Sequence, residues 1–198
     1  VLALALLLVS APVMLLAALL VKLTSRGPVL YSQTRMGLNG RPFTLYKIRS
    51  MHHDCERLSG PRWACPGDPR VMPVGRLLRR SHVDELPQLW NVLRGEMSLV
   101  GPRPERPEFI PQLEQAIPHY RDRLCVRPGL TGLAQVRLPP DTDLASVRLK
   151  LACDLYYVHH RGLWLDLRLL AATAFHLTGL SAISRRLTAP EGGQGGLQ

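Results

Sequence analysis

Hydrophobic positions crowd the two ends of the chain, and a basic, proline-punctuated stretch lies between them. From Val1 to Val21 the run "VLALALLLVSAPVMLLAALLV" carries no charge. As one helix it reaches roughly 31 Å at about 1.5 Å per residue, enough to cross a bilayer. Ser10 and Pro12 stand at its centre, where proline removes a backbone donor and bends or breaks a helix. Two readings follow for residues 1–23: a kinked spanning helix, or two half-helices that enter and leave by one face as a re-entrant hairpin. No basic leader precedes the run and no small-x-small site follows it, which argues against a cleaved signal peptide. The missing initiator methionine suggests a true start further upstream.

Beyond this run the pattern shortens. Residues 27–51 hold two β-prone stretches around Gly37-Leu38-Asn39-Gly40, predicting a hairpin with Lys47 and Arg49 two apart on one face of its second strand. Residues 54–72, rich in Pro, Gly and charge, read as loop, and "PVGRLLRR" (73–80) as a short helix ending in Arg79 and Arg80. Pro87 suits only a first helical turn, so the next helix begins near Asp84 to Leu86, runs to about Arg94 and is closed by Gly95. Its spacing makes Leu86, Leu89, Trp90 and Leu93 a core stripe and sets Asp84, Gln88 and Asn91 opposite. Residues 104–124 are helical in part. A helix follows to about His160, capped by Asp141 or Thr142. The apolar stretch 163–177 predicts a helix that either lies on the membrane surface or is buried in the core, and the glycine-rich 188–198 a disordered tail. This is an α+β fold, mainly α: a small hairpin plus helices, with one domain over residues 24–187.

Charge narrows the chemistry. The 198 residues carry a formal charge of +10, which suits an anionic membrane surface, a phosphorylated ligand, or both. Arginines outnumber lysines 22 to 3, and their planar forks fit phosphate, although a GC-rich genome gives the same bias. Lys22, Arg26, Arg35 and Arg41 follow the apolar run, which places the rest in the cytoplasm by the positive-inside tendency. Cys55, Cys65, Cys125 and Cys153 lie 10, 60 and 28 positions apart, without zinc-ligand spacing. His52, His53, Asp54 and Cys55 form the one cluster of metal-ligating types, and such a run is more often plain loop. Few aromatics and no nucleic-acid-binding motif argue against a nucleic-acid partner.

"SHVDELPQLWNVLRGEMSLVGPRPE" (81–105) carries the chemistry. Asp84 and Glu85 sit at a helix start about 100° apart, so they cannot do the same job. The positive end of that helix favours their ionised forms and a phosphate nearby. An ionised carboxylate can hold Mg2+ or attack phosphorus; two ordinary dipole-stabilising acids are the plain alternative. Pro102 and Pro104 fix the backbone around Arg103, a cation suited to a transferring phosphoryl group. The two glycines of "RPGLTGLAQV" (127–136) suit a close backbone approach to a ligand.

Together with "LTSRGPVLYSQTRMGLNGRPFTLYKIRSM" and "RPGLTGLAQV", that run resembles the bacterial sugar transferase family, the monotopic phosphoglycosyl transferases, over nearly the whole chain to about residue 180. The resemblance implies transfer of a sugar 1-phosphate from a UDP-sugar to polyprenyl phosphate, with release of UMP, at the cytoplasmic face of the bacterial inner membrane. It makes Asp84 the nucleophile of a two-step covalent mechanism with Mg2+, and Glu85 its partner. Arg103 becomes a phosphate ligand, with Lys47, Arg49, Arg79, Arg80 and Arg127 as further basic candidates. It also favours the re-entrant hairpin, broken at Ser10 and Pro12, although Ala11 separates the two here. The sequence leaves the sugar and the oligomeric state open, a homodimer included. A non-catalytic membrane adaptor that binds anionic lipid is the competing class, and direct attack by the lipid phosphate the competing mechanism.

Overall fold

The computed structural model describes residues 1–57, 60, 62, 63, 65, 67–178, 180, 184, 187 and 188. The expected tail falls almost wholly outside them. Helix α1 (Leu2–Thr24) is continuous, with Pro12 inside it. Its turns run on through Ser10 and Pro12, the point at which a kinked span and a re-entrant hairpin diverge. One proline removes a single backbone donor, and the Leu- and Ala-rich flanks have high helix propensity. The Ser10 hydroxyl donates to the Leu7 carbonyl at 3.2 Å; it does not reach the Leu8 carbonyl, which the proline deprives of its partner. Most α1 leucines are exposed, and burial is confined to Ala3, Ala17 and Val21. The helix is long and apolar enough to cross a membrane.

The hairpin forms as predicted, with β1 (Leu30–Met36) antiparallel to β2 (Pro42–Ile48) around a short 3-10 turn at Leu38–Gly40. Helix α2 (Pro73–Arg80) matches its expected bounds, and α3 (Gln88–Leu93) closes at Gly95, whose φ of 75° favours glycine. A parallel pair, β3 (Ser98–Val100) with β4 (Gly129–Thr131), was not foreseen from three-residue strands. Helices α4 (Ile110–Ala116) and α5 (Leu133–Arg137) are short. Helix α6 (Leu144–His160) is capped by Asp143 rather than Asp141 or Thr142, because Ser146 completes a reciprocal capping box there. Helix α7 (Leu163–Leu177) buries Leu169 and Ala172 while Leu163, Trp164 and Leu167 stay exposed. It is therefore neither fully buried nor fully surface-lying.

Three apolar clusters hold these pieces. Ala17 and Val21 of α1 pack with Ile48, Met72 and Leu78, which ties the apolar helix to β2 and α2. Val100, Leu133, Tyr157 and Leu169 join β3 to α5, α6 and α7. Ile110, Leu113, Tyr120, Val147 and Leu151 join α4 to α6. All four cysteines are free.

Candidate active site

The chain reverses after α2 at His82, whose φ is 55°, and Val83–Glu85 form a 3-10 turn. Leu86 and Pro87 keep helical angles, and α3 follows. Proline fits there because a helix start needs no donor from it. The expected core stripe is reversed. Leu89 is buried, but Trp90 is 51% exposed and Leu93 is exposed too, whereas Asp84, Gln88 and Asn91 are buried. The free edge of β2 explains this, since its polar groups need partners. Asn91 accepts from the Tyr46 N–H (3.3 Å) and donates to the Thr44 carbonyl and the Glu96 carboxylate, both at 2.7 Å. Once polar atoms hold α3 against β2, its apolar side is left outside.

The two acids are used differently. Glu85 accepts from Lys47 Nζ and from Arg103 Nη2, both at 2.6 Å, and His82 Nδ1 lies 3.9 Å away. Burial alone would raise its carboxyl, but Arg103, Lys47 and His82 hold it well below the ordinary 4.5. Glu85 is thus an ionised charge already matched by cations. Asp84 is 4% exposed, and its Oδ1 is buried without a hydrogen-bond partner. Burial raises its carboxyl and the neighbouring Glu85 adds to this, while Lys47, Arg79 and Arg103 pull it back. A helix dipole was expected to favour ionisation of both acids; the ionised form is favoured at Glu85 alone, and there by its cations. Asp84 precedes a six-residue helix, too short for a dipole to outweigh desolvation.

The basic residues divide. Lys47 and Arg103 meet at Glu85, and burial lowers the Lys47 ammonium although Glu85 opposes that. Arg79 donates from Nε to the Ser50 hydroxyl at 2.8 Å with its charge acting on Asp84. Arg80 and Arg127 are exposed. Arg49 is not brought into this group: its N–H extends the hairpin ladder to the Val29 carbonyl (2.8 Å), but its guanidinium donates to the carbonyls of Arg26 (2.7 Å) and Ser25 (3.2 Å) just past α1. Among the described residues no cluster of three or more His, Cys, Asp or Glu could cage a metal, the 52–55 run included.

Support for Arg103 comes from residues the sequence reading missed. Each carbonyl of Pro102-Arg103-Pro104 accepts a bond: from the Gly129 N–H at 2.9 Å, from Arg123 Nη2 at 2.8 Å and from Arg35 Nη1 at 3.0 Å. Arg123 also donates to the Tyr120 hydroxyl at 2.8 Å and lies 2.7 Å from Asp154 of α6. The signal available for Asp154 was a lone acid among apolar positions of α6. The glycines at 129 and 132 do allow close approach, but to the backbone of Gly101 rather than to a ligand, since a Cβ on either would collide with it.

The bacterial sugar transferase family matches residues 1–179. A UDP-N-acetylgalactosamine-undecaprenyl-phosphate N-acetylgalactosaminephosphotransferase of Aeromonas hydrophila is 45% identical over 86% of this chain and 40% of its own length. A UDP-glucose:undecaprenyl-phosphate glucose-1-phosphate transferase of Caulobacter vibrioides is 50% identical over 82% of this chain and 61% of its own. An exopolysaccharide production protein of Rhizobium leguminosarum bv. phaseoli is 46% identical over 84% of this chain and 86% of its own. The chain thus spans 40% and 61% of the first two relatives.

Proposed function

The chain belongs to the bacterial sugar transferase family, and we propose on that basis that it transfers a sugar 1-phosphate from a UDP-sugar to polyprenyl phosphate, through a covalent intermediate on Asp84. The observation that carries this reading is the buried, unpartnered Oδ1 of Asp84 beside a Glu85 whose charge Lys47 and Arg103 already match. A carboxylate with a free oxygen can form a bond to phosphorus; one held by two cations cannot do so as readily.

In the first step Asp84 Oδ1 attacks the sugar-bearing phosphorus of the donor. The P–O bond to the second phosphate breaks, and UMP leaves with that electron pair. In the second step an oxygen of polyprenyl phosphate attacks the same phosphorus. The bond to Asp84 breaks, returning the carboxylate and giving the polyprenyl-diphosphate sugar. Arg103, with its side chain 46% exposed, reaches from the open side and can hold a donor phosphate while still on Glu85. Lys47 and Arg79 add positive charge around Asp84. Mg2+ fits this donor set, since it keeps several waters and needs only one or two carboxylates plus substrate phosphates. Asp84 would hold it, and it would neutralise diphosphate charge.

The site packs on the end of α1 through Ile48 and Leu78, so anchoring α1 in the bilayer brings Asp84 to the level of lipid phosphates. Insertion from the cytoplasmic face of the inner membrane, with α1 bending at Ser10 and Pro12 and returning, belongs to the same proposal. The test is UMP release from a panel of UDP-sugars with polyprenyl phosphate, and retention of radiolabelled sugar phosphate on the quenched polypeptide. Asp84→Asn is expected to abolish both and Arg103→Ala to lower turnover strongly. An active Asp84→Asn protein overturns the covalent role, and no UMP from any donor leaves the lipid-binding adaptor.

A further inference from the structure

The polar side of the 84–93 segment carries four side chains that burial obliges to find partners, and only some do. Glu85 is held by Lys47 and Arg103, and Asn91 makes three hydrogen bonds. Two atoms are left over: the acceptor Asp84 Oδ1 and the donor Gln88 Nε2, each buried and each without a hydrogen bond, so they are not bonded to one another. Gln88 is 2% exposed, more deeply buried than Asp84. It follows Asp84 by four residues through the helical angles of Leu86 and Pro87, so both lie on one side of the turn. A buried amide with no protein partner is costly in the resting protein and gains its bond only when something with an acceptor arrives.

We propose that Gln88 is a catalytic residue whose amide N–H donates to a non-bridging oxygen of the phosphoryl group while that group passes to and from Asp84. This rests on the transfer reading above and adds a further contact to it. The amide suits the position chemically. A lysine or arginine one turn from Asp84 would pair with its carboxylate and quench it, as Lys47 and Arg103 do to Glu85. A neutral donor leaves Asp84 free yet still meets the charge that builds on phosphoryl oxygens. Asn91, one turn further on, shows the contrasting case: the same amide chemistry fully spent on β2 and Glu96.

Gln88→Leu replaces the amide with an apolar group of similar size. The lost donor has no protein partner, so the variant should melt at or above the wild-type temperature while kcat for UMP release falls about 100-fold, as when one transition-state donor is removed. Full-length protein in nanodiscs, with the UDP-sugar the wild type uses and polyprenyl phosphate, supplies both readings. Gln88→Met, unbranched and as long as glutamine, repeats the test if leucine's branching disturbs folding. A rate within about threefold of wild type in a folded variant overturns the proposal, as does a fall in melting temperature that accounts for the lost rate. An active Asp84→Asn protein overturns the covalent step on Asp84, and a wild type that releases no UMP overturns the transfer reading, which separates those failures from this one.

Discussion

Asp154→Asn tests whether a residue of α6 governs Arg103, which lies on the opposite side of Arg123. The chain of contact runs from the Asp154 carboxylate to Arg123 (2.7 Å), from Arg123 to the Arg103 carbonyl (2.8 Å), and from the Arg103 guanidinium to Glu85 (2.6 Å). The side chains of Arg123 and Asp154 are 9% and 3% exposed, so solvent screens their attraction little. Breaking a buried pair leaves an uncompensated cation and costs about 3–5 kcal/mol. Burial already raises the Asp154 carboxyl against the pull of Arg123, and its Oδ2 lacks an aligned hydrogen bond, which argues for the lower end. A loss of about 3 kcal/mol lowers the melting temperature of a chain this size by roughly 6–12 °C. An Arg123 released from its counter-ion holds the Arg103 carbonyl less firmly. One charged hydrogen bond is worth about 1.5–3 kcal/mol, so kcat should fall about tenfold or more. The assay is a double-mutant cycle on UMP release: in an Arg103→Ala background Asp154→Asn should change kcat by less than about threefold, because its effect passes through Arg103. Equal effects with and without Arg103 refute the positioning argument, and an unchanged melting temperature refutes the ion-pair estimate.

Lys47 is the first of the cations that lower the Asp84 carboxyl, so Lys47→Met should move the acidic limb of the kcat/KM profile to higher pH; a limb that stays or moves down contradicts this. The Glu85 carboxylate, 3.9 Å away, raises His82 above its ordinary 6.5, so the fold favours its protonated form. That contribution is fully present below about pH 6.5 and is lost as pH rises through the folded value. His82→Ala should therefore flatten the decline of melting temperature across that window, and an unchanged decline counts against the contact. Leu2→Cys reports the topology of α1: protection from a membrane-impermeant thiol reagent outside intact cells fits re-entry, and labelling establishes a span.

Short local signals were legible and long-range pairings were not. Pro73, Pro87 and Gly95 marked helix ends correctly, and Gly37 to Gly40 marked the hairpin, because backbone restrictions act on neighbours alone. The same reasoning separated Asp84 from Glu85. It misread α3, where periodicity says which residues share a side but not which side finds a partner; the edge of β2, 45 positions from Asn91, decided that. The guanidinium of Arg49 goes to the Arg26 and Ser25 carbonyls, 23 and 24 positions away, a pairing that no local pattern announces. Arg123 and Asp154 carried no motif, since their contact joins residues 31 positions apart. Pro12 lies inside a continuous α1, where strongly helix-forming flanks carry the turns past one missing donor.

Arg49 grips the Ser25 and Arg26 carbonyls while β2, which ends just before it, carries Lys47 to Glu85. Anchor and chemistry are therefore joined without a slack tether, like a stylus mounted rigidly on its arm. If the proposed transfer holds, such a catalyst would work at one depth, meeting long-chain acceptors where lipid presents them at that height and passing over water-soluble phosphates without a pocket designed to refuse them.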